Sequence, residues 1–295
     1  MTSKEMDFSR FPQLREKCEQ MGRGLESCRS IGVAFSGGVD SGFLAWFLQN
    51  MLSRKVHALI ALSPLLSVRE RRMARKFAGQ MELNLHEVQV NPLLLEEVRT
   101  NSPKRCYFCK RAIMQALRDR ALELECDVLV EGSHAGDFEI HRPGHSALKE
   151  LGIESPLAQG GLTKDEIRML ARSAGLSHWN RPSQSCLATR VPYGVELSHD
   201  LLKTIEEAEN ILWEAGCRQV RVRLHGPLAR IEVDPQDMVL FLDDKFRKEI
   251  LVSYGRLGFL HVALDLAGFH SGSMDKEVKN SSGRARNLGD ADNAR

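Results

Sequence analysis

A short run of strand-forming residues, Ile31-Gly-Val-Ala-Phe35, passes directly into Ser36-Gly-Gly-Val-Asp-Ser41 and then into apolar residues at Phe43, Leu44, Phe47, Leu48 and Leu52. That order constrains the fold more than any other feature of the chain. The first five residues read as a buried strand, and the spacing of the last five fits a helix packed on a sheet. Between them lies a tight glycine-rich turn. A strand that hands over to a helix in this way is the first half of a parallel βαβ unit.

The alternation continues. Val56–Leu62 reads as a second buried strand, ended by Ser63-Pro64, and a basic helix from Arg69 to Ala78 leads to a third strand at His86–Val90. A Leu-rich helical stretch, a break at Ser102-Pro103 and a helix from about Phe108 to Leu124 precede a fourth strand, Asp127–Glu131. Residues 11–30 carry a modest helical pattern, and Thr163-Lys-Asp-Glu166 is a capping box opening a helix to about Ala174, which Gly175 closes. The expectation is an α/β domain with an open parallel sheet over residues 1–180.

Beyond Pro182 the pattern changes. Ser198 can cap a helix with Leu201, Leu202, Ile205, Ala208, Ile211, Leu212 and Ala215 on its apolar face. Gln219–Arg223 and Ala229–Val233 read as strands, and the short link His225-Gly-Pro227 suggests a hairpin. A helix near Gln236–Leu251 and a strand at Leu260–Leu264 complete a small α+β domain over 181–270. From Ser271 the composition is Ser, Gly, Asn and charge, so 271–295 reads as a disordered tail.

Composition excludes some classes. Of 295 residues, 41 Lys and Arg face 39 Asp and Glu, a net charge of +2 that makes no bulk electrostatic case for nucleic acid. No apolar run reaches the roughly 18 residues of a spanning helix, so no membrane association is expected. The opening MTSKEMDFSRF lacks the apolar core of a signal peptide. Seven cysteines, an odd and irregular set, fit a reducing, cytoplasmic location.

The turn Ser36–Ser41 lies where α/β proteins bind phosphate: glycines let backbone approach, successive N–H groups make an anion nest, and the helix N-terminus adds positive potential. It is not a Walker loop, because the G-x-x-x-x-G-K-[ST] pattern and its lysine are missing. The hexapeptide Ser36, Gly37, Gly38, Val39, Asp40, Ser41 resembles the loop of the PP-loop ATP pyrophosphatase superfamily, whose members split ATP between the α and β phosphates. The resemblance implies ATP on this loop, with Asp40 helping to hold Mg²⁺, since a hard cation takes carboxylate oxygen.

Arg105-Cys-Tyr-Phe-Cys-Lys110 places Cys106 and Cys109 three apart at a helix start, where the helix dipole and the flanking Arg105 and Lys110 favour thiolate. Half a zinc site, ligands of an iron–sulfur cluster and a redox dithiol all fit this spacing. No second C-x-x-C completes a four-cysteine zinc site. Cys186 lies in a polar loop, Pro182-Ser-Gln-Ser-Cys186, close to Arg190. Cys18, Cys28, Cys126 and Cys217 read as packing residues.

The succession SGGVDS, RCYFCK, RPG (142–144), SPL (155–157), GLTKDEIR (161–168), CLATRVPYG (186–194) and RVRLHGPLARIE (221–232) resembles the LarE family over residues 31–270. These are ATP-dependent sulfur transferases of nickel-pincer cofactor biosynthesis, which serves lactate racemase maturation. The resemblance implies adenylation of a carboxylate of a pyridinium dicarboxylate mononucleotide, followed by replacement of AMP with sulfur. One branch of the family gives up the sulfur of the cysteine matching Cys186, which becomes dehydroalanine. The other adds the CYFC cysteines and is thought to hold a [4Fe–4S] cluster, here on Cys106, Cys109 and Cys186. All three thiols are present, so the sequence is similar to the cluster branch. It departs from the family at Glu131–Asp137, where a run with two acids, like Asp-Gly-Thr-Asn, is usual.

Arg221 and Arg223 alternate on a predicted strand and so share a face, with Arg230 on the neighbouring one. Such planar forks suit carboxylates and phosphate, although a solvated strand face paired with Glu232 fits the pattern equally. The family resemblance implies a substrate-binding role for Arg190, Arg221 and Arg223, and a divalent ion near Glu209 and Glu232. The expected partner is a small-molecule mononucleotide, and the expected assembly a homo-oligomer. A tRNA thiolase of the same superfamily and a non-catalytic nucleotide or metal sensor are the alternatives.

Overall fold

The computed structural model describes residues 6, 8–138, 143–182 and 184–270, the side chains of Arg10 and Pro143 aside. The expected tail at 271–295, Arg142 of the RPG motif and Ser183 lie outside the described residues. The chain divides into two compact units, Met1–Ser185 and Cys186–Arg295.

In the first unit the elements run α1 (Pro12–Arg23), β1 (Ser30–Ala34), α2 (Val39–Asn50), β2 (Lys55–Leu62), α3 (Val68–Gln80), β3 (Asn84–Gln89), α4 (Glu96–Arg99), α5 (Arg105–Glu123), β4 (Val128–Glu131), α6 (Ala135–Phe138), α7 (Pro143–Glu150), α8 (Pro156–Gln159) and α9 (Lys164–Ser173). The four strands are parallel in the order β3-β2-β1-β4. Side chains alternate across β1. Ile31 and Val33 enter the core shared with Phe43, Leu44, Phe77 and Ile167 from α2, α3 and α9. On the other face Ala34 joins Leu59 and Leu129 against Leu117 and Ala121 of α5. Gly32 also faces α5, where an added Cβ would stand 3.2 Å from that of Ala121. Helices thus cover both faces of a parallel sheet, as the near-continuous apolar strands require.

Two elements differ from the expectation. The Leu-rich stretch after β3 is a short 3₁₀ turn, Pro92–Leu94, followed by the four-residue α4, because the Asn91 side chain accepts from the Leu93 N–H and starts a turn there. Helix α5 begins at Arg105 rather than near Phe108, which brings both CYFC cysteines into its opening turns.

The second unit contains α10 (His199–Glu214), β5 (Val220–His225), β6 (Leu228–Val233), α11 (Asp244–Arg256) and β7 (His261–Leu264). Strands β5 and β6 form the expected hairpin, turned at Gly226 with φ +59°, and β7 adds parallel to β6. Val220, Val222, Ile231 and Val233 pack with Leu212 and Tyr254 to make the core. The single helix expected over 236–251 is instead a 3₁₀ segment, Pro235–Leu242, and then α11. Asp243 separates them by accepting from the Phe246 N–H at 2.7 Å, a cap that starts a new helix. No helix among the described residues is long and apolar enough to cross a membrane.

Candidate functional site

The strand order places β4 beside β1 after the chain has run outward through β2 and β3. The carboxyl ends of β1 and β4 are therefore the topological switch point, where open α/β sheets bind ligands. The hexapeptide loop leaves β1 at this point. The Ser41 hydroxyl accepts the Ser36 N–H at 3.1 Å and lies 3.1 Å from the Ser36 hydroxyl, so the two ends of the loop are tied together. Gly37 has φ +74°, and a Cβ there would meet Ala74 of α3 at 2.7 Å. Gly38 differs: its backbone is extended, at φ −80° and ψ 167°. A Cβ on Gly38 would meet only the Ser36 hydroxyl, at 3.2 Å. Glycine at 38 keeps open the space that backbone needs to approach a phosphate.

Neighbouring residues complete the loop's surroundings. Gly132, just past β4, lies so close that a Cβ would be 2.8 Å from the Ser41 nitrogen. The Lys164 ammonium, at the start of α9, pairs with Asp40 Oδ2, while Asp40 Oδ1 is buried without a hydrogen-bond partner. Arg181 donates to Glu70 Oε1 at 2.5 Å and to the Gly37 carbonyl at 3.5 Å. His178, only 3% exposed, stacks on Phe77 with centroids 4.2 Å apart. Its Nε2 leaves no room for a side chain at position 42. Burial, with the nearby Arg181 charge, lowers the His178 pKa to about 4, so the ring is neutral at ordinary pH.

Of these residues the sequence singled out only the loop. Lys164 was visible solely as part of a capping box, which does form: Thr163 accepts from Glu166, and Glu166 from Thr163. Gly132 had one signal, a glycine immediately after a strand.

Glu131, within the segment that departs from the family pattern, is buried and well bonded. It accepts from Ser133 Oγ at 2.9 Å, from Ser155 Oγ at 2.5 Å and from Lys110 Nζ at 3.3 Å. Lys110 is thus turned toward Glu131, and Arg105 donates to Asn101 Oδ1 at 2.5 Å. The two cations expected to favour thiolate each have a carboxylate or amide partner of their own. Cys106 is exposed and Cys109 half-buried, and their i, i+3 spacing puts them on one face of α5. None of the seven cysteines forms a disulfide. Cys106 and Cys109 lie in the first unit, and Cys186 opens the second. Among the described residues no three His, Cys, Asp or Glu side chains gather as a metal site.

In the second unit the basic and acidic residues form one buried network. Arg190 grips Glu209 with two bonds, Nε to Oε1 at 2.8 Å and Nη2 to Oε2 at 3.0 Å, and Glu209 also accepts the Val222 N–H. Arg223 donates to Glu232 at 2.9 Å, which Arg230 reaches from the other side at 3.2 Å. Arg221, 1% exposed, donates to the Val220 carbonyl and lies 5.0 Å from the centre of the Phe269 ring. The register pairs Arg221 with Glu232 and Arg223 with Arg230, so all four side chains share a face. Neither Glu209 nor Glu232 is an open carboxylate for the divalent ion expected there, since guanidinium groups occupy both. Arg190 Nη1 also donates to the Cys186 carbonyl at 2.9 Å, and Arg223 Nη1 to the Thr189 carbonyl at 2.7 Å. The arginines therefore hold the turn that begins at Cys186.

Comparison with known proteins identifies this arrangement. The asparagine synthase family profile matches residues 19–113, the part that contains the loop. Pyridinium-3,5-bisthiocarboxylic acid mononucleotide synthase of Lactiplantibacillus plantarum is 32% identical over 254 residues, covering 85% of this chain and 91% of its own. The chain belongs to the LarE family. It is accordingly an ATP-dependent sulfur transferase. An uncharacterized Synechocystis protein is similar to this chain, at 35% identity over 91% of this chain and 97% of its own. By contrast, the tRNA-specific 2-thiouridylase of Pseudothermotoga lettingae, 28% identical, matches about half of each chain: 50% of this one and 52% of its own.

Two predictions follow from the loop's neighbours. Gly132→Ala forces a methyl group onto the Ser41 backbone, so the variant should lose about 1–3 kcal/mol of stability and bind ATP at least about tenfold more weakly by calorimetry. For His178, the folded pKa of about 4 lies below the unfolded 6.5. The unfolded chain therefore gains a proton first as pH falls, and stability present above 6.5 is lost progressively down to about 4. The loss has an upper bound of about 3 kcal/mol. Urea titrations across this range should flatten in His178→Gln.

Proposed function

We propose that this chain adenylates a carboxylate of a pyridinium dicarboxylate mononucleotide and replaces the AMP with sulfur, a thiocarboxylate-forming step of nickel-pincer cofactor biosynthesis. One observation carries the proposal: the loop tied at Ser36 and Ser41 stands at the switch point of a chain matching 91% of a synthase named for a bisthiocarboxylic acid mononucleotide.

The loop N–H groups beyond Ser36, whose own N–H goes to Ser41, would donate to phosphate oxygens. Asp40 fits a hard cation, because its Oδ1 is buried without a partner, and would hold Mg²⁺ on the phosphates. The substrate carboxylate attacks the α-phosphorus, and the Pα–O bond breaks with its electron pair leaving on pyrophosphate. Sulfur then attacks the acyl carbon, and AMP departs with the former carboxylate oxygen. Arg190, Arg221 and Arg223 would take the acceptor's anionic groups, oriented by Glu209 and Glu232. The protein reading of Cys186 is as sulfur donor or cluster ligand. Cys106, Cys109 and Cys186 would hold a [4Fe–4S] cluster, which when bound would supply an iron for a transferable sulfide.

Phosphorus NMR of a turnover mixture should show AMP and pyrophosphate; ADP and orthophosphate would refute the proposal. Anaerobically made protein should be brown and hold about four irons per chain. Iron and sulfide assays should drop in Cys106→Ala, Cys109→Ala and Cys186→Ala alike. Activity that survives loss of Cys106 and Cys109, with dehydroalanine at 186 by mass spectrometry, would assign the sulfur to Cys186 itself.

A further inference from the structure

We propose that Phe269 is a positioning residue of the acceptor site, its ring holding the Arg221 guanidinium in the direction an incoming anionic group needs. The inference rests on the acceptor-binding role given to Arg221 above and names what keeps that side chain ordered.

The backbone after β7 delivers this ring to its place. The Asp265 N–H donates to the Ile231 carbonyl and the Phe269 N–H to the Val233 carbonyl, both at 2.8 Å. The segment thus advances from 265 to 269 while β6 advances only from 231 to 233, and the surplus forms a turn. Inside that turn Asp265 Oδ1 accepts from the Ala267 N–H at 2.9 Å, and the Gly268 N–H donates to the Asp265 carbonyl at 3.0 Å. Gly268 has φ +69°, and a Cβ there would stand 3.0 Å from the Val233 carbonyl oxygen. Glycine at 268 is what lets residue 269 rejoin β6. Each end of the turn meets an arginine. Asp265 Oδ2 lies 3.5 Å from Arg230 Nε, and the Phe269 ring centre lies 5.0 Å from the guanidinium carbon of Arg221.

A ring and a carboxylate hold a guanidinium in different ways. Glu209 takes two N–H groups of Arg190, at 2.8 and 3.0 Å. Phe269 attracts the Arg221 charge through the ring face and takes none of its N–H groups. Arg221 Nη1 donates to the Val220 carbonyl at 2.7 Å, so the guanidinium is fixed along one edge as well as over one face. At 1% exposure it is shielded from water, which strengthens the attraction to the ring. A guanidinium ordered in advance loses less side-chain freedom when a carboxylate or phosphate of the acceptor arrives. Phe269 acts through Arg221 alone and takes no part in bond making or breaking.

Calorimetry on the full chain, with pyridinium dicarboxylate mononucleotide and separately with Mg-ATP, tests this. Phe269→Leu keeps apolar bulk but removes the π face, and should weaken the mononucleotide by about 3- to 30-fold while leaving Mg-ATP affinity unchanged. Phe269→Tyr should bind the mononucleotide as wild type does. In steady-state assays the leucine variant should raise the KM for the mononucleotide with kcat unchanged. Phe269→Met gives the same readout should the leucine variant fold poorly. Wild-type mononucleotide affinity in the leucine and methionine variants would overturn the assignment, as would an equal loss for both ligands. Wild-type protein that binds Mg-ATP but not the mononucleotide would overturn the acceptor reading itself, and this inference with it.

Discussion

The approach of Gly132 to the backbone of Ser41 organises the first unit's ligand end. Strands β1 and β4 are parallel neighbours, so their carboxyl ends come out side by side. The two turns that follow can touch only because residue 132 has no Cβ, one that would stand 2.8 Å from the Ser41 nitrogen. From that contact two connections radiate. Forward along the loop, Ser41 closes onto Ser36, which shapes the anion nest. Backward along β4, Glu131 reaches Lys110, one residue beyond Cys109. The loop after β1 and the cysteine-bearing end of α5 are thus held by adjacent residues at the end of β4. The atypical segment 131–137 is part of this framework, since its first residue takes two serine hydroxyls and an ammonium.

Charge plays a different part in the second unit. Burying Arg190 with Glu209 and Arg223 with Glu232 costs several kcal/mol of desolvation per ion, which the pairing offsets without large net stabilisation. Such a network contributes more to geometry than to stability. The paired guanidiniums are held in fixed directions, and two of them end on carbonyls of the 186–190 turn. Removing one partner would leave a buried charge unmatched, so acids and arginines depend on one another. A phosphate or carboxylate arriving at these arginines would meet groups already oriented, which lowers the ordering cost of binding.

Much of the fold was legible because it is written locally. The passage from Ile31 to Ser41 carries strand, turn and helix signals in contiguous residues, and the Thr163–Glu166 box and the β5–β6 hairpin are equally self-contained. Legibility ended where a competing local cap intervened. Asp243 splits the stretch that periodicity joins into one helix, and Asn91 shortens another. The alternation of Arg221 and Arg223 revealed a shared face, yet Glu209 and the 186–190 turn, which cover their partners, come from distant elements.

The sequence by itself determined the kind of loop, the parallel sheet that presents it and the family these motifs signify. Each depends on residue type and short-range spacing, which a linear chain displays directly. Tertiary structure alone decided that Lys164, 124 residues beyond Asp40, would pair with it. It likewise decided that Gly132 would seat the loop and that guanidinium groups would occupy Glu209 and Glu232. Those outcomes follow from strand order and helix packing, which set distances between residues that no local pattern connects.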